Sequence, residues 1–492
     1  MNAALRAWWR SETSTVRATL AAIVLLGVAV RCGSVTQPMR YDEAVTYLYF
    51  VGRPWWTAIS AYQFPNNHLL YTVLAKITSG LGGGAPWAIR VPALIAGVAI
   101  IPLTYAVGRA LFTPAAALIG SALVAASTTL TLYATNARGY SLLVAGYLVL
   151  LLLAARVRAE GGTPRRWIAF ALVSAAGLAT VPVMLYPIGA VAVWLVLVVS
   201  LEHPERARAD VVPLVGAVGA AGVIAMLAYV PIIRANGLAA LTANKFVAGS
   251  PWPQFFRELF PSLGGALVSW ADPFPLVLAP LLLGALVVGS ARSTRVSREG
   301  VSVITAALMG SAIVLLATHH APFARTWLWL LPIACLLVGV GVELMVRRVA
   351  PSRGAAALPA LALAILASGV AWGLFTDAEG ESLDTGLFRG ADAVAQSLRT
   401  SLQPGDRVLA PIPSNAPLQF YLLRYGADTA VLSTSPAATQ RSILVLNRAY
   451  GQTVEWAIAA DMIDTSRFGP IAPAMHALDA DVYVAERKAR IP

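Results

Sequence analysis

The sequence predicts a polytopic α-helical membrane protein that carries a C-terminal α/β domain, and three observations predict it. Hydrophobic residues make up 58% of the 492-residue chain and charged residues only 12%, whereas ordinary soluble domains hold about 25% charged residues. The mean hydropathy is +0.70, and a soluble fold so apolar would expose patches that soluble monomers avoid. The apolar residues are gathered in runs near the ~20 needed to cross a bilayer, and the composition becomes mixed only after Phe375. A purely soluble enzyme, a disordered chain and a coiled coil are excluded.

The runs follow in order: Val16–Thr36, Val91–Phe112, Ala115–Ala134, Ser141–Ala155, Trp167–Pro182, Val183–Ser200, Val211–Ile233, Phe274–Ser290, Val301–Thr318, Thr326–Val346 and Ala355–Phe375. They predict about eleven transmembrane helices. The first has no small-residue cleavage site behind it and reads as a retained helix rather than a signal peptide. The stretch around Val181-Pro182 is too long for one crossing and suits two.

Charge sets the topology. The 36 Lys+Arg exceed the 24 Asp+Glu by 12, and no basic motif suggests a nucleic-acid partner. Lys and Arg collect in cytoplasmic loops. The segment Leu69–Leu81 is apolar but short and contains Lys76. If it crossed, Arg156, Arg158, Arg165, Arg166, Arg206, Arg208, Arg292, Arg295, Arg298, Arg347, Arg348 and Arg353 would face outward. If it does not, all are cytoplasmic with Arg6, Arg10 and Arg17. The second choice makes it an interfacial or re-entrant helix. The predicted organisation is a membrane domain, residues 1–376, whose first external loop (37–90) carries juxtamembrane helices, followed by an external domain, 377–492. The N-terminus is cytoplasmic and the location is the cell (inner) membrane. Strand-like runs at Arg407–Ala410, Ser442–Leu446 and Asp481–Ala485 alternate with helix-like Gly390–Thr400 and Ala416–Tyr425.

On this topology the outer side holds the unusual charges. Asp42-Glu43 follows the first helix, and an adjacent carboxylate pair can divide a base role and an orienting role. Pro65-Asn66-Asn67 turns the chain so that His68 opens the short helix, where an imidazolium would add to the helix N-terminus as an anion contact. Arg138, in Asn136-Ala137-Arg138-Gly139-Tyr140, and Arg325, after His319-His320, stand on the side where topology does not call for them. A planar, permanently charged fork suits phosphate. Asn66, Asn67, Tyr140 and His320 accompany them as substrate-binding candidates. Two adjacent histidines without further ligands do not make a metal site. Asp272 reads as a turn residue. Cys32 and Cys335 form neither a disulfide framework nor a zinc pattern. The residues alone read as a site that binds an anionic, phosphorylated lipid and deprotonates an acceptor beside it.

These motifs stand in a familiar order: Asp42-Glu43, Asn66-Asn67-His68-Leu69-Leu70, Trp87-Ala88-Ile89-Arg90-Val91-Pro92, Gly108-Arg109-Ala110-Leu111-Phe112, Ala137-Arg138-Gly139-Tyr140, and Arg325 before Leu331-Pro332. From about Val16 to Val346 the chain resembles the GT-C glycosyltransferases, in particular protein O-mannosyltransferases and lipid A aminoarabinose transferases. The resemblance implies a sugar donor on a polyprenyl phosphate, a glycan, lipid or protein acceptor, and transfer on the external face of the lipid bilayer with inversion. It implies Asp42 as general base with Glu43 supporting, and His68, Arg138 and Arg325 as receptors of the donor phosphate. Asn66-Asn67-His68 departs from the commoner His-Pro-Pro pattern. No cofactor is required, and a divalent metal is left open. The rival readings are a transporter or lipid flippase, whose signature would be repeats and broken helices at the midplane, and a non-catalytic scaffold.

Overall fold

The computed structural model describes residues 12–62, 67–242, 249–271, 274–297, 300–351, 354–435 and 438–488. Arg6, Arg10, Asn66, Asp272, Arg298 and Arg353 lie outside the described residues. The chain divides into two compact units. The first comprises Met1–Val35, Ile59–Thr78 and Arg90–Glu379, and the second Thr36–Ala58, Ser79–Ile89 and Gly380–Pro492.

The first unit is helical. Among the described residues, seven helices are long and apolar enough to cross a membrane, or eight if the bent pair Pro114–Ala126 and Thr128–Ala134 is one span. The predicted runs Trp167–Pro182, Phe274–Ser290 and Val301–Thr318 correspond to the helices Pro164–Thr180, Ala279–Ser297 and Val303–Thr318, none of which is among those candidates. The count of about eleven therefore exceeds what length and hydropathy support. A twenty-residue helix that no run predicted, Trp252–Ala271, has Pro261 inside it and is apolar on one face only. Leu69–Leu81 is a single helix of 13 residues, about 20 Å long, too short for the ~30 Å hydrocarbon core.

Helix starts follow from local chemistry. Thr113 and Thr163 each precede a proline and accept from backbone N–H groups of the first turn, Ala116 at 3.1 Å and Arg166 at 3.4 Å. The hydroxyl supplies a cap and the proline occupies a position that needs no N–H donor. Packing then depends on small residues. A Cβ on Gly341 would collide with the Ala285 carbonyl, one on Gly289 with the Leu337 carbonyl, and one on Gly339 with the Ala116 carbonyl. The helix Leu331–Val349 is thereby held at near-backbone contact with the Ala279–Ser297 and Pro114–Ala126 helices, as membrane helices pack.

One buried charge shapes this unit. Arg31 is 0% exposed and donates from Nη1 to the carbonyls of Gly27 and Ala125, both at 3.2 Å, and from Nη2 to Val124 O at 3.1 Å. The Val124 and Ala125 carbonyls lie at the C-terminus of Pro114–Ala126, immediately before the 62° bend. The guanidinium satisfies acceptors that the bend removes from the helical ladder and sits at the negative end of the helix dipole. Ser127 restarts the next helix by accepting from Leu130 N at 3.2 Å.

The second unit is built on a four-stranded sheet of order β1-β2-β4-β3, with β1 Asp406–Leu409, β2 Arg441–Asn447, β3 Ala472–Ala477 and β4 Ala480–Glu486. β1 and β2 are parallel, and both β2–β4 and β3–β4 are antiparallel. The central β2 is buried along Ser442–Asn447, as its continuous apolar run requires. The predicted strands at β1, β2 and β4 and both predicted helices are present, the helices as Ala391–Ser401 and Asn415–Arg424. β3 was not predicted. It is an exposed edge strand with Pro473 and a bulge at Pro473/Met475, and such a strand lacks alternation and tolerates proline.

Candidate active site

The first unit gathers three of the predicted residues around the phenol ring of a fourth, Tyr140. His68, 3% exposed, faces Tyr140 edge-on with ring centroids 5.4 Å apart. Arg325 Nε donates to the Tyr140 hydroxyl at 3.0 Å, and the Arg138 guanidinium lies 5.9 Å from the centre of the same ring. Arg138 is itself 2% exposed. Tyr133 packs on the other side of Tyr140, 5.1 Å between centroids. The elements that present these groups are short and constrained. Arg138 sits in the tight turn between Thr128–Ala134 and Tyr140–Glu160, and Arg325 in the 3-10 turn Ala324–Leu330 that leads into Leu331–Val349.

Gly139 explains the Arg-Gly-Tyr spacing. Its backbone N–H donates to His68 Nδ1 at 2.8 Å. A Cβ there would run into the Thr180 methyl group and lie 3.0 Å from that same nitrogen. The turn and the histidine meet only because position 139 has no side chain. The accepting Nδ1 places any ring proton on Nε2. Burial, reinforced by the Arg138 and Arg325 charges, holds the His68 pKa well below its usual 6.5. The imidazole is therefore neutral, which corrects the expected imidazolium: His68 offers an N–H donor, and the positive charge belongs to the arginines.

The remaining predicted residues fall elsewhere. Asn67 donates from Nδ2 to Ala61 O and accepts from the Thr72 hydroxyl, both at 2.8 Å, so its amide closes the loop that positions His68. His320 is half-buried in the turn after Val303–Thr318, where His319 adopts a left-handed conformation (φ 49°) and its ring lies tilted against Trp252, 4.2 Å between centroids. Asp42 and Glu43 belong to the second unit. There Glu43 Oε1 accepts from Arg40 N at 2.9 Å and is 0% exposed, capping the N-terminus of the helix Tyr41–Thr46. Asp42 lies half-buried in the first turn of that helix, where a carboxylate complements the helix dipole. The helix is fixed by the loop Ser382–Gly386: Tyr41 N donates to Gly386 O at 2.9 Å, Asp42 N to Thr385 O at 3.1 Å, and Arg40 Nη1 to Ser382 O at 2.6 Å. Thr385 and Gly386 both have positive φ, 63° and 82°. A Cβ at 386 would strike Tyr41.

Sequence reasoning missed two groups of this region. Arg40 is 1% exposed and holds the loop against the Asp42 helix, although it reads as one more loop arginine. Glu379 accepts from the Thr135 hydroxyl at 2.8 Å, bringing a carboxylate to the turn that carries Arg138. By sequence it falls in the expected domain 377–492. The arginines of the expected cytoplasmic loops behave differently. Arg158 pairs with Glu202 at 2.8 Å, Arg347 with Glu343 at 2.8 Å, Arg109 with Glu12 at 2.6 Å, and Arg166 with Glu160. Among the described residues no group of three or more His, Cys, Asp or Glu side chains forms a metal-ligand set.

A helical unit with a buried basic cluster and a small α/β unit make up the chain, and known proteins share this architecture. Residues 67–230 match the family model described as dolichyl-phosphate-mannose-protein mannosyltransferase. The chain is similar to the crystal structure of ArnT from Cupriavidus metallidurans in the apo state, with a TM-score of 0.60 at 13% identity, over 96% of this chain and 98% of that one. It is similar also to the same protein bound to undecaprenyl phosphate, with a TM-score of 0.57 at 14% identity, over 94% and 97%. No curated protein matches the chain by sequence. The likeness to these two structures shows that the chain shares their fold. The predicted fold class, a polytopic helical membrane protein with a C-terminal α/β domain, is the one observed.

Proposed function

We propose that this protein is a membrane glycosyltransferase that moves a sugar from a polyprenyl-phosphate donor to an acceptor hydroxyl on the external face of the cell membrane, with inversion. The observation that carries this reading is the convergence of Arg138, Arg325 and His68 on Tyr140. Two guanidinium forks and a neutral N–H donor form a receptor for a leaving phosphate. ArnT from Cupriavidus metallidurans, whose fold this chain shares, has been crystallised with undecaprenyl phosphate, which supports a donor of that chemistry.

In this reading Asp42 takes the proton from the acceptor hydroxyl as its oxygen attacks the anomeric carbon. The bond from that carbon to the phosphate oxygen breaks, and the negative charge arriving on the phosphate is met by Arg138 and Arg325. A positioned base contributes about 10²–10⁴ in rate, and cations preorganised where charge develops contribute further. One displacement with one base gives inversion. Glu43 supports by capping the helix that carries Asp42. Asn67 sets the His68 loop, and Tyr140 orients Arg325; Asn66 and His320 stay candidates for the sugar.

The test is transfer by purified protein in lipid nanodiscs, with envelope glycans compared by mass spectrometry in cells with and without it. Asp42→Asn is expected to fold, bind undecaprenyl phosphate and lose transfer about 10²–10⁴-fold. Retained turnover in both Asp42→Asn and Glu43→Gln would overturn the assignment of the base.

A further inference from the structure

The second compact unit contains an open cavity of about 820 Å³, within the size range of small-molecule sites. One wall is the stretch that continues the Asp42 helix, from Tyr47 to Arg53, with the glycine turn Gly83-Gly84. The other is the helix Asn415–Arg424 and the residues after it.

Its lining has a definite chemistry. Among the described residues, Arg53 and Arg424 are the charged lining residues and no carboxylate lines the cavity. Each guanidinium is anchored to backbone: Arg53 Nε donates to Leu48 O at 2.7 Å and Arg424 Nη1 to Gly84 O at 3.3 Å. Gln419 adds an amide. Tyr47 and Tyr425 bring rings that are half-buried. Tyr47 is held edge-on against Phe420 at 5.0 Å, and the Tyr425 hydroxyl is held by Asp392 and by Gln396 Nε2, the latter at 3.0 Å. Asp392 lies behind Tyr425, outside the lining. Gly84, with φ 72°, lets the backbone approach Tyr47: a Cβ there would stand 2.8 Å from the Tyr47 hydroxyl.

We infer that this cavity binds the saccharide part of an anionic acceptor, a sugar bearing carboxylate or phosphate groups. Anchored guanidinium forks recognise planar oxyanions. Rigid rings with polar edges and an amide suit the apolar faces and hydroxyls of a pyranose. A lipid tail has no use for this lining. The cavity wall and the proposed base stand on one continuous stretch, Tyr41 to Arg53, so an acceptor held here is held by the element that carries Asp42. The inference rests on the glycosyl-transfer reading for the word acceptor. Binding itself does not.

The experiment uses the full-length protein in nanodiscs and measures binding of three probes by calorimetry: trigalacturonate, neutral maltotriose and an acidic peptide of equal charge. Trigalacturonate is expected to bind at least tenfold more tightly than maltotriose or the peptide. Arg53→Gln with Arg424→Gln should remove that tenfold preference and leave maltotriose binding unchanged, and Tyr425→Ala should weaken both sugars. Should the double variant not fold, Thr429→Glu, which places a carboxylate in the lining, should abolish the same preference. Equal binding of the two sugars, preference for the peptide, or indifference to these substitutions would overturn the inference. Asp42→Asn is expected to keep trigalacturonate binding, so failure of the base assignment and failure of the cavity assignment are read separately.

Discussion

Arg325 Nε donates to the Tyr140 hydroxyl at 3.0 Å, linking a 3-10 turn to the helix that begins 185 residues earlier in the chain. The bond orients the guanidinium without neutralising it. Tyr140→Phe is therefore expected to leave the fold intact and raise the KM for the polyprenyl-phosphate donor, with a loss of up to about tenfold in kcat/KM, the scale of one hydrogen bond to a charged group. Arg325→Ala should cost more than Tyr140→Phe. An undiminished kcat/KM in Arg325→Ala would remove it from the phosphate receptor.

Arg138 is nearly buried against the same ring. Arg138→Ala should weaken binding of undecaprenyl phosphate at least tenfold and leave binding of a saccharide acceptor unchanged. Unchanged donor affinity in a folded variant would contradict the phosphate role.

His68 predicts a pH dependence of stability. Its folded-state pKa lies well below 6.5, through burial first and then Arg138 and Arg325. Between that depressed value and 6.5 the unfolded chain binds more protons than the folded one. The stability from neutral His68 is full above about pH 6.5 and is lost as pH falls below it, at up to about 1.4 kcal/mol per pH unit. His68→Gln keeps a side-chain acceptor but does not titrate. It should flatten the decline in unfolding temperature between pH 7 and 5.5. Equal slopes for both proteins would refute this.

Arg31 predicts a structural defect away from the site. Arg31→Met leaves the carbonyls of Val124 and Ala125 without their guanidinium at the bend, at about 1–3 kcal/mol for each buried acceptor left unsatisfied. Unfolding in detergent should begin at lower temperature, and protease sensitivity near Ser127 should rise. An unfolding temperature equal to the parent's would show that the bend does not need the charge.

The topology is tested by labelling. A single cysteine replacing Arg156 should resist membrane-impermeant reagents in intact cells, and one replacing Asp428 should react. Labelling at position 156 from outside would invert the assignment.

Much of this was legible in the chain. Length of apolar run decided where helices form, because a span must satisfy its backbone within itself. Composition changes after Phe375, where the α/β domain is expected to begin, and the expected charge asymmetry marks Arg138 and Arg325 as candidates. One helix, apolar on one face only, escaped: Trp252–Ala271 mixes faces and gives no continuous apolar run. β3 escaped because an exposed edge strand has no alternation to read.

The sequence by itself determined a membrane protein, the order of its helices, and the few charges in apolar surroundings that merit a role. Only the tertiary structure decided what those charges do. His68 is neutral because burial and two arginines from distant segments surround it. Glu43 is a cap because its partner is the backbone N–H of Arg40. Arg31 holds a bend, and Glu379 joins the helical unit. Each of these depends on contacts between groups far apart in the chain or on burial, and desolvation and hydrogen-bond geometry are properties of the folded surroundings rather than of any residue or its neighbours in sequence.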